Sequence, residues 1–168
     1  MPATRQDLLD RFASLGITTE TVDHVAVFTV SESTHLKRDI PGGHTKNLFL
    51  KDKKDRLFLV VALGDAVIDL KTLHKRIGSD RLSFGKADLL MEVLGVLPGS
   101  VTPFGVVNDV HRRVTVILDA DMMRHERLNY HPLENTATTG IARDDLVRFL
   151  KDTGHEPRIL AVAEPAAT

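Results

Sequence analysis

Leu57-Phe58-Leu59-Val60-Val61-Ala62-Leu63 is an unbroken apolar run of strand length, rich in residues that favour β-structure. An exposed strand alternates apolar and polar positions, so a run without alternation belongs to a strand buried on both faces. The segment before it, Asn47-Leu48-Phe49-Leu50-Lys51, ends in the charged tip Asp52-Lys53-Lys54-Asp55, and the two segments are expected to pair as a hairpin. Around this pair the chain alternates helical and extended patterns. Thr4 with Asp7 resembles a capping pair for a helix over Arg5 to Leu15, carrying Leu8, Leu9 and Phe12. Asp69 caps a second helix stopping at Gly78, and Ala87 to Leu94 forms a third stopping at Gly95. Asp144 to Thr153 forms a fourth, ending at Gly154. Strands are expected at Val25 to Val30, at Val114 to Leu118, more weakly at Thr136 to Thr139, and at Ile159 to Val162. Interleaved elements of both kinds imply a mixed α/β or α+β fold.

The chain has 168 residues, 42% of them hydrophobic, which suits one domain with a sizeable core; residues 1–164 are assigned to it and 165–168 to a short polar tail. There is no cysteine, which excludes disulfides, thiolate catalysis and cysteine-ligated zinc. The N-terminus lacks the apolar core of a signal peptide, and no apolar run reaches membrane-spanning length, so the expected setting is cytoplasmic with no membrane partner. A net charge of −1 argues against a long electrostatic track on nucleic acid, while allowing a small footprint served by a local basic patch.

Familiar catalytic motifs are missing. No GxSxG elbow, P-loop or GxGxxG occurs. His125-Glu126 opens like a zinc-protease helix, but Asn129 stands where the second histidine belongs. Asp119-Ala120-Asp121 lacks the glycine and distal glutamate of a calcium loop and reads as a strand-to-helix turn. The eight histidines are scattered rather than set at ligand spacing.

Three segments are not explained by the fold alone. In Ile40-Pro41-Gly42-Gly43-His44-Thr45-Lys46-Asn47, proline and paired glycines make a turn whose backbone can approach a ligand, and Lys46 stands where an ammonium could hold a phosphate or an ester oxygen. From spacing alone, a solvated lysine closing a loop is the simpler reading. Gly95 to Gly105, which contains Gly99-Ser100-Val101-Thr102-Pro103-Phe104, has too much Gly and Pro for a regular element. Val96, Leu97, Val101 and Phe104 make it too apolar for a mobile loop. A rigid, half-buried loop fits, either presenting backbone groups to a small ligand or serving as a tight corner. Tyr130-His131-Pro132-Leu133-Glu134-Asn135-Thr136 gathers polar side chains before a strand and is weak by itself.

Taken in order, PGGHTKNLFLKDKK, GSDRLSF, LGVLPGSVTPFGVVND, HPLENTATTGI and a helix closed by GHEP resemble the editing domain of bacterial prolyl-tRNA synthetase and its free-standing YbaK-like relatives. The match is nearest to the free-standing alanyl-tRNA(Pro) deacylases. The resemblance implies an α+β fold, a single compact domain with a central mixed β-sheet flanked by helices. It also implies trans-editing hydrolysis of the ester of mischarged alanyl-tRNA(Pro), with no cofactor and no required metal. By position, Lys46 is the lysine at the acceptor end, Gly99 to Pro103 the loop beside the aminoacyl group, and His131 part of the HP-containing pocket wall. Ser100, Val101, Thr102, Phe104, Asn47 and Asn135 are further substrate-binding candidates, with Lys46 and His131 the catalytic ones.

An aminoacyl ester is already activated, so positioning a water and stabilising the oxyanion can suffice, with the ribose hydroxyl a candidate to activate the water. The expected partner is the acceptor end of proline tRNA, and prolyl-tRNA synthetase is a candidate docking partner. Lys51, Lys53, Lys54, Arg56, Lys75, Arg76, Arg81 and Lys86 could form a basic rim. Lys51 and Arg81 adjoin the motifs and are assigned to tRNA binding. Two alternatives stay open: a deacylase of the same fold for cysteine or serine, and a noncatalytic module that binds acceptor ends or a synthetase. Gly85-Lys86 departs from the family pattern, where small polar residues and proline are frequent.

Overall fold

In the computed structural model, which describes residues 1–25 and 40–165, the apolar run Leu57–Leu63 is β3, and successive side chains enter two separate cores. Leu57, Leu59 and Val61 pack in a cluster with Phe12, Phe49, Leu94, Phe104, Val116 and Phe149, whereas Phe58 and Val60 join Leu50, Leu73, Ile77, Ile117 and Val162. Each such fully buried side chain contributes about 1.5–3 kcal/mol. Burial on both faces therefore makes β3 the centre of the fold.

The expected hairpin forms: β2 (Gly43–Asp52) pairs antiparallel with β3, with Lys46 opposite Ala62 and Lys51 opposite Leu57. The strands β1 (Thr19–Asp23), β4 (Leu82–Phe84), β5 (Val114–Asp119), β6 (Arg127–Tyr130), β7 (Ala137–Ala142) and β8 (Arg158–Leu160) complete a mixed sheet. Its order is β1-β7-β6-β2-β3-β5-β8, with β4 added to β2. The contacts β2–β6, β3–β5 and β5–β8 are parallel and the rest antiparallel.

Among the described residues four helices cover this sheet. α1 (Arg5–Ser14) has the expected capping box between Thr4 and Asp7 and buries Leu8 and Phe12. α2 (Leu70–Ile77) is capped by Asp69 and closed by left-handed Gly78; α3 (Ala87–Leu94) is closed by left-handed Gly95. α4 (Arg143–Asp152) buries Leu146, Phe149 and Leu150. Phe12, Phe104, Tyr130 and Phe149 meet edge-on at 5.1–5.6 Å, joining α1, the loop after α3, β6 and α4 in one aromatic core. The chain stays packed as far as Glu164, whose backbone N–H donates to the Val67 carbonyl at 2.7 Å.

Several elements differ from the sequence expectation. β1, β4 and β6 are short strands that pairing, not composition, creates. β7 runs on to Ala142, and β8 is shifted to Arg158–Leu160. Of the strand expected at Val25 to Val30, only Val25 lies within the described residues, and it is exposed and outside any strand.

β2 has a divided edge. Gly43 and His44 pair with Leu128 and Asn129 of β6, while Leu50, Lys51 and Asp52 pair with Phe84, Ser83 and Leu82 of β4. Among the described residues no strand pairs with this edge from Thr45 to Leu48. The second face of the sheet is also divided. α2 covers its apolar half over Leu50, Phe58, Val60 and Ile117. Across β2, β6 and β7 the same face carries His44, Lys46, Arg127, Asn129 and Thr138, as the register and the alternation of side chains require.

Candidate functional site

The turn that launches β2 is held from β6. Asn129 donates from Nδ2 to the Pro41 carbonyl at 2.9 Å and the Gly43 carbonyl at 3.4 Å, and its own carbonyl accepts from Thr45 Oγ1 at 2.6 Å. Gly42 has φ 100°, and a Cβ there would stand 3.0 Å from both the Arg127 carbonyl and Asn129 Nδ2. These glycines thus permit a close approach between two backbones. The turn is a rigid mount for the next residues of β2.

Lys46 is half-buried, and its ammonium donates to the carbonyl of Ala66 after β3. Parallel pairing sets Gly43 beside Leu128 and His44 beside Asn129 and stops there, so Lys46 and His131 each lie two residues beyond the last pair. Both alternate to the same face of the sheet, where the edge of β2 is unpaired. A carbonyl only accepts, so the 3.0 Å contact between His131 Nδ1 and the Ala137 carbonyl places the imidazole proton on Nδ1. Burial pushes His131 below its ordinary value, and His24 adds to that shift, outweighing the opposing hydrogen bond to Ala137. The ring is therefore neutral near pH 7 and offers Nε2 as an acceptor.

The loop after α3 is rigid for identifiable reasons. Asn108 donates to the Leu94 carbonyl at 2.9 Å and accepts from the Ala3 backbone at 2.8 Å. Two 3₁₀ turns, Pro98–Ser100 and Pro103–Asn108, replace an irregular course, the second capped by Thr102 Oγ1 accepting from Phe104 N–H at 3.2 Å. Gly99 is exposed, Val101 half-buried, and Ser100, Thr102 and Pro103 are buried. Phe104 is 0% exposed, with its ring in the aromatic core, so it acts by anchoring the loop and has no surface for a ligand. Leu97, expected to be partly covered, is 65% exposed.

Asn47 follows Lys46 and points to the opposite face, the one shared by Phe49 and the core beneath this loop. Its Oδ1 is buried without a hydrogen-bond partner among the described residues. Asn135 is half-buried in the β6–β7 turn. Arg5 braces that turn by binding Glu134 and, at 2.7 Å, Asp23. The fold thus carries Lys46 and His131 just past the end of the β2–β6 ladder. Among the described residues no hydrogen bond joins either of them to Gly99–Phe104.

Lys51 and Arg81 lie at the same end of the sheet. Ser83 of β4 lies opposite Lys51, and Arg81 stands just before the first residue of β4. Lys51 Nζ is 3.6 Å from Asp55, and exposed Arg81 has no carboxylate partner among the described residues. Gly85 has a structural reason: a Cβ there would lie 2.4 Å from the Phe49 ring.

Sequence reasoning missed Asn129, Arg5 and Gly85 as supports. The alternation Leu128-Asn129-Tyr130 was a usable strand signal for the first; the other two depend on distant contacts. Among the described residues no group of three His, Cys, Asp or Glu could hold a metal, and no helix is long and apolar enough to cross a membrane.

Residues 24–149 match the family model described as aminoacyl-tRNA editing domain. Over 159 residues the chain is 41% identical to the prolyl-tRNA synthetase associated domain-containing protein 1 of Danio rerio, covering 94% of this chain and 86% of that protein. It is 36% identical over 152 residues to the prolyl-tRNA editing protein ProX of Acetoanaerobium sticklandii, covering 90% and 93%. A solved structure described as a candidate trans-editing enzyme for prolyl tRNA synthetase superposes with a TM-score of 0.71 at 18% identity, covering 98% of this chain and 100% of that one, a likeness of fold.

Proposed function

The chain belongs to the aminoacyl-tRNA editing domain family, and on that premise we propose that it is a trans-acting deacylase that removes alanine mischarged onto proline tRNA. What supports this reading is that β2 and β6, paired at Gly43–Leu128 and His44–Asn129, carry Lys46 and His131 just beyond the end of that ladder, beside the unpaired edge of β2. A terminal nucleotide bound there meets a cation on one strand and a neutral acceptor on the next.

In the reaction, water adds to the ester carbonyl and the bond to the ribose oxygen breaks, leaving free alanine and a tRNA with its hydroxyl restored. The ester is reactive enough that orientation and charge stabilisation supply the needed acceleration. Lys46 holds the acceptor end through phosphate or ester oxygen. His131 Nε2 accepts from the substrate ammonium or from the attacking water. The Gly99–Pro103 loop, on the face to which Asn47 points, supplies fixed backbone groups to the aminoacyl moiety, which reaches it past the unpaired edge of β2 from the Lys46 face; Asn135 lies in the β6–β7 turn. Lys51 and Arg81 contact the acceptor stem and separate proline tRNA from alanine tRNA, whose ester is identical.

Purified protein incubated with alanyl-tRNA(Pro) is expected to release alanine, and Lys46→Ala to slow release at least tenfold at subsaturating substrate. A full rate in that variant would remove Lys46 from the mechanism. Binding without ester loss would leave a noncatalytic module, and preferential release of cysteine or serine would reassign the substrate.

A further inference from the structure

A cleft of about 440 Å³ opens at the Leu57 end of the sheet, at the opposite end of β3 from Ala62 and its partner Lys46. Arg56 precedes β3, Arg113 precedes β5, and Arg158 opens β8; these three guanidinium groups line the cleft with Thr115 and Gly78, the residue that closes α2. Leu57 pairs with Val114, so Arg56 and Arg113 stand side by side, and Arg158 pairs with Ile117 on the following strand. Alternation places all three on the face covered by α2. Residues far apart in sequence are therefore gathered by the sheet into one basic wall.

Each guanidinium is positioned without being exhausted. Arg56 is held by Asp52 through Nε and Nη2, both at 2.8 Å, and the buried Asp52 carboxylate is fixed in turn by backbone N–H groups of Lys54, Arg56 and Asp80. Arg113 meets Glu92 through Nη1 at 2.9 Å. Arg158 donates to the Ile77 carbonyl at 3.3 Å, which caps the negative end of α2 that would otherwise repel an anion. With five N–H donors on each guanidinium, most remain available. Asp55 is the one carboxylate among the lining residues, and it is drawn toward Lys51 at 3.6 Å.

We propose that this cleft binds backbone phosphates of the tRNA, a second contact outside the editing pocket that rests on the tRNA-directed reading above. Planar guanidinium forks suit phosphate oxygens, and contact to backbone alone adds affinity without reading sequence. Ala62 is six residue steps along the chain from Arg56, so the cleft lies about 20 Å from the level of Lys46, a span of several nucleotides. Lys51, opposite Leu57, lies at the same end of the sheet.

Binding of uncharged proline tRNA is measured over a range of salt for wild type, exposed Arg158→Gln, and Arg113→Gln/Arg158→Gln. The double variant is expected to bind about tenfold more weakly at ~0.1 M salt, with a log–log salt slope shallower by about two contacts and Arg158→Gln intermediate. Alanine release at saturating charged tRNA should stay at the wild-type rate. Unchanged affinity and slope in both variants, or no tRNA binding by wild type, would overturn the phosphate site. Inorganic phosphate bound in an arginine-dependent way with tRNA affinity unmoved would also overturn it, assigning the cleft to a small phosphorylated ligand. Arginine-dependent tRNA binding by a wild type that releases no alanine would sustain the site while the deacylase reading fails.

Discussion

Asn129 donates to the carbonyl of Pro41 at 2.9 Å across 88 residues of chain, and this bond ties β6 to the turn from which Lys46 sets out. Asn129→Ala would leave the Pro41 and Gly43 carbonyls without that donor, at about 1–3 kcal/mol. Asn129→Asp keeps the shape but turns the donor into an acceptor facing those carbonyls, so it should be no better. Both variants are expected to melt lower and to lose roughly tenfold in kcat/KM, because the mount for Lys46 loosens. Thermal unfolding with deacylation rates below saturation checks this. Lower melting with wild-type rates would show that the turn stabilises the fold but does not position Lys46.

His131 should set the acid side of the activity profile. Its folded value is depressed, so the ring stays neutral as pH falls below the ordinary imidazole value of about 6.5 and charges only further down. Linkage has the same sign: the contribution to stability is complete above that value and is lost as pH falls toward the folded one. His24 is the titratable neighbour whose charge adds to the effect. His131→Ala is expected to lose about 10–100-fold in kcat/KM, the worth of a hydrogen bond to a charged group. His131→Asn can donate to Ala137 and still present an acceptor, and should recover part of that loss while abolishing the acid limb. An acid limb unchanged in His131→Asn would mean that another group titrates.

Legibility followed locality. The run at β3 and the caps Thr4, Asp69, Gly78 and Gly95 depend on neighbouring residues and could be read directly. β1, Thr-Glu-Thr-Val-Asp, has no apolar face and becomes a strand because β7 pairs with it; β4 has three residues and exists through β2. The candidate site divides in the same way. Lys46, His131 and the Gly99–Pro103 loop stood out as motifs, but the pairing of β2 with β6 that carries the first two toward one edge is a strand register, which no local pattern encodes. Phe104 could be read as pocket wall or core with equal ease until Phe12, Tyr130 and Phe149 were seen to surround it.

Acid should loosen the molecule at a point remote from this site. Asp109 accepts from His155 Nε2 at 2.8 Å and from the Val114 backbone N–H at 2.9 Å, both buried, and from the partly buried Arg113 backbone N–H at 3.0 Å. Burial opposes the carboxylate charge, yet these bonds outweigh it and hold Asp109 below its ordinary value. A depressed carboxylate contributes stability above its unfolded value of about 3.9, and this is lost as pH falls through the folded one. Asp109→Asn turns one acceptor toward a donor that it cannot satisfy, at about 1–3 kcal/mol near neutrality, and should flatten the acid side of the stability curve. Asp52, depressed by bonds from Arg56, Asp80 and Lys54 against its own desolvation, keeps part of that slope. Unfolding midpoints across the acid range test the sign. An acid slope identical to wild type would remove Asp109 from the titration.

On the proposed activity the protein must spare prolyl-tRNA(Pro), the correct product, and the build of the Gly99–Pro103 loop offers a way. Pro103 is buried at the first position of a 3₁₀ turn, Thr102 caps that turn, and Phe104 is locked in the aromatic core, so the wall cannot easily retreat. A side chain smaller than the pocket forfeits only about 1–3 kcal/mol per missing methylene, whereas a proline ring must displace packed atoms, which makes a small rigid site a one-sided sieve. Alanine should leave rapidly and proline slowly. Pro103→Ala restores backbone freedom to the loop, and alanine release is expected to fall roughly tenfold through lost positioning while the preference over proline narrows. The two esters are compared on the same tRNA under the same conditions, in wild type and Pro103→Ala. Equal cleavage of both by wild type would end the sieve account, and an unchanged alanine rate in the variant would take the loop out of the mechanism.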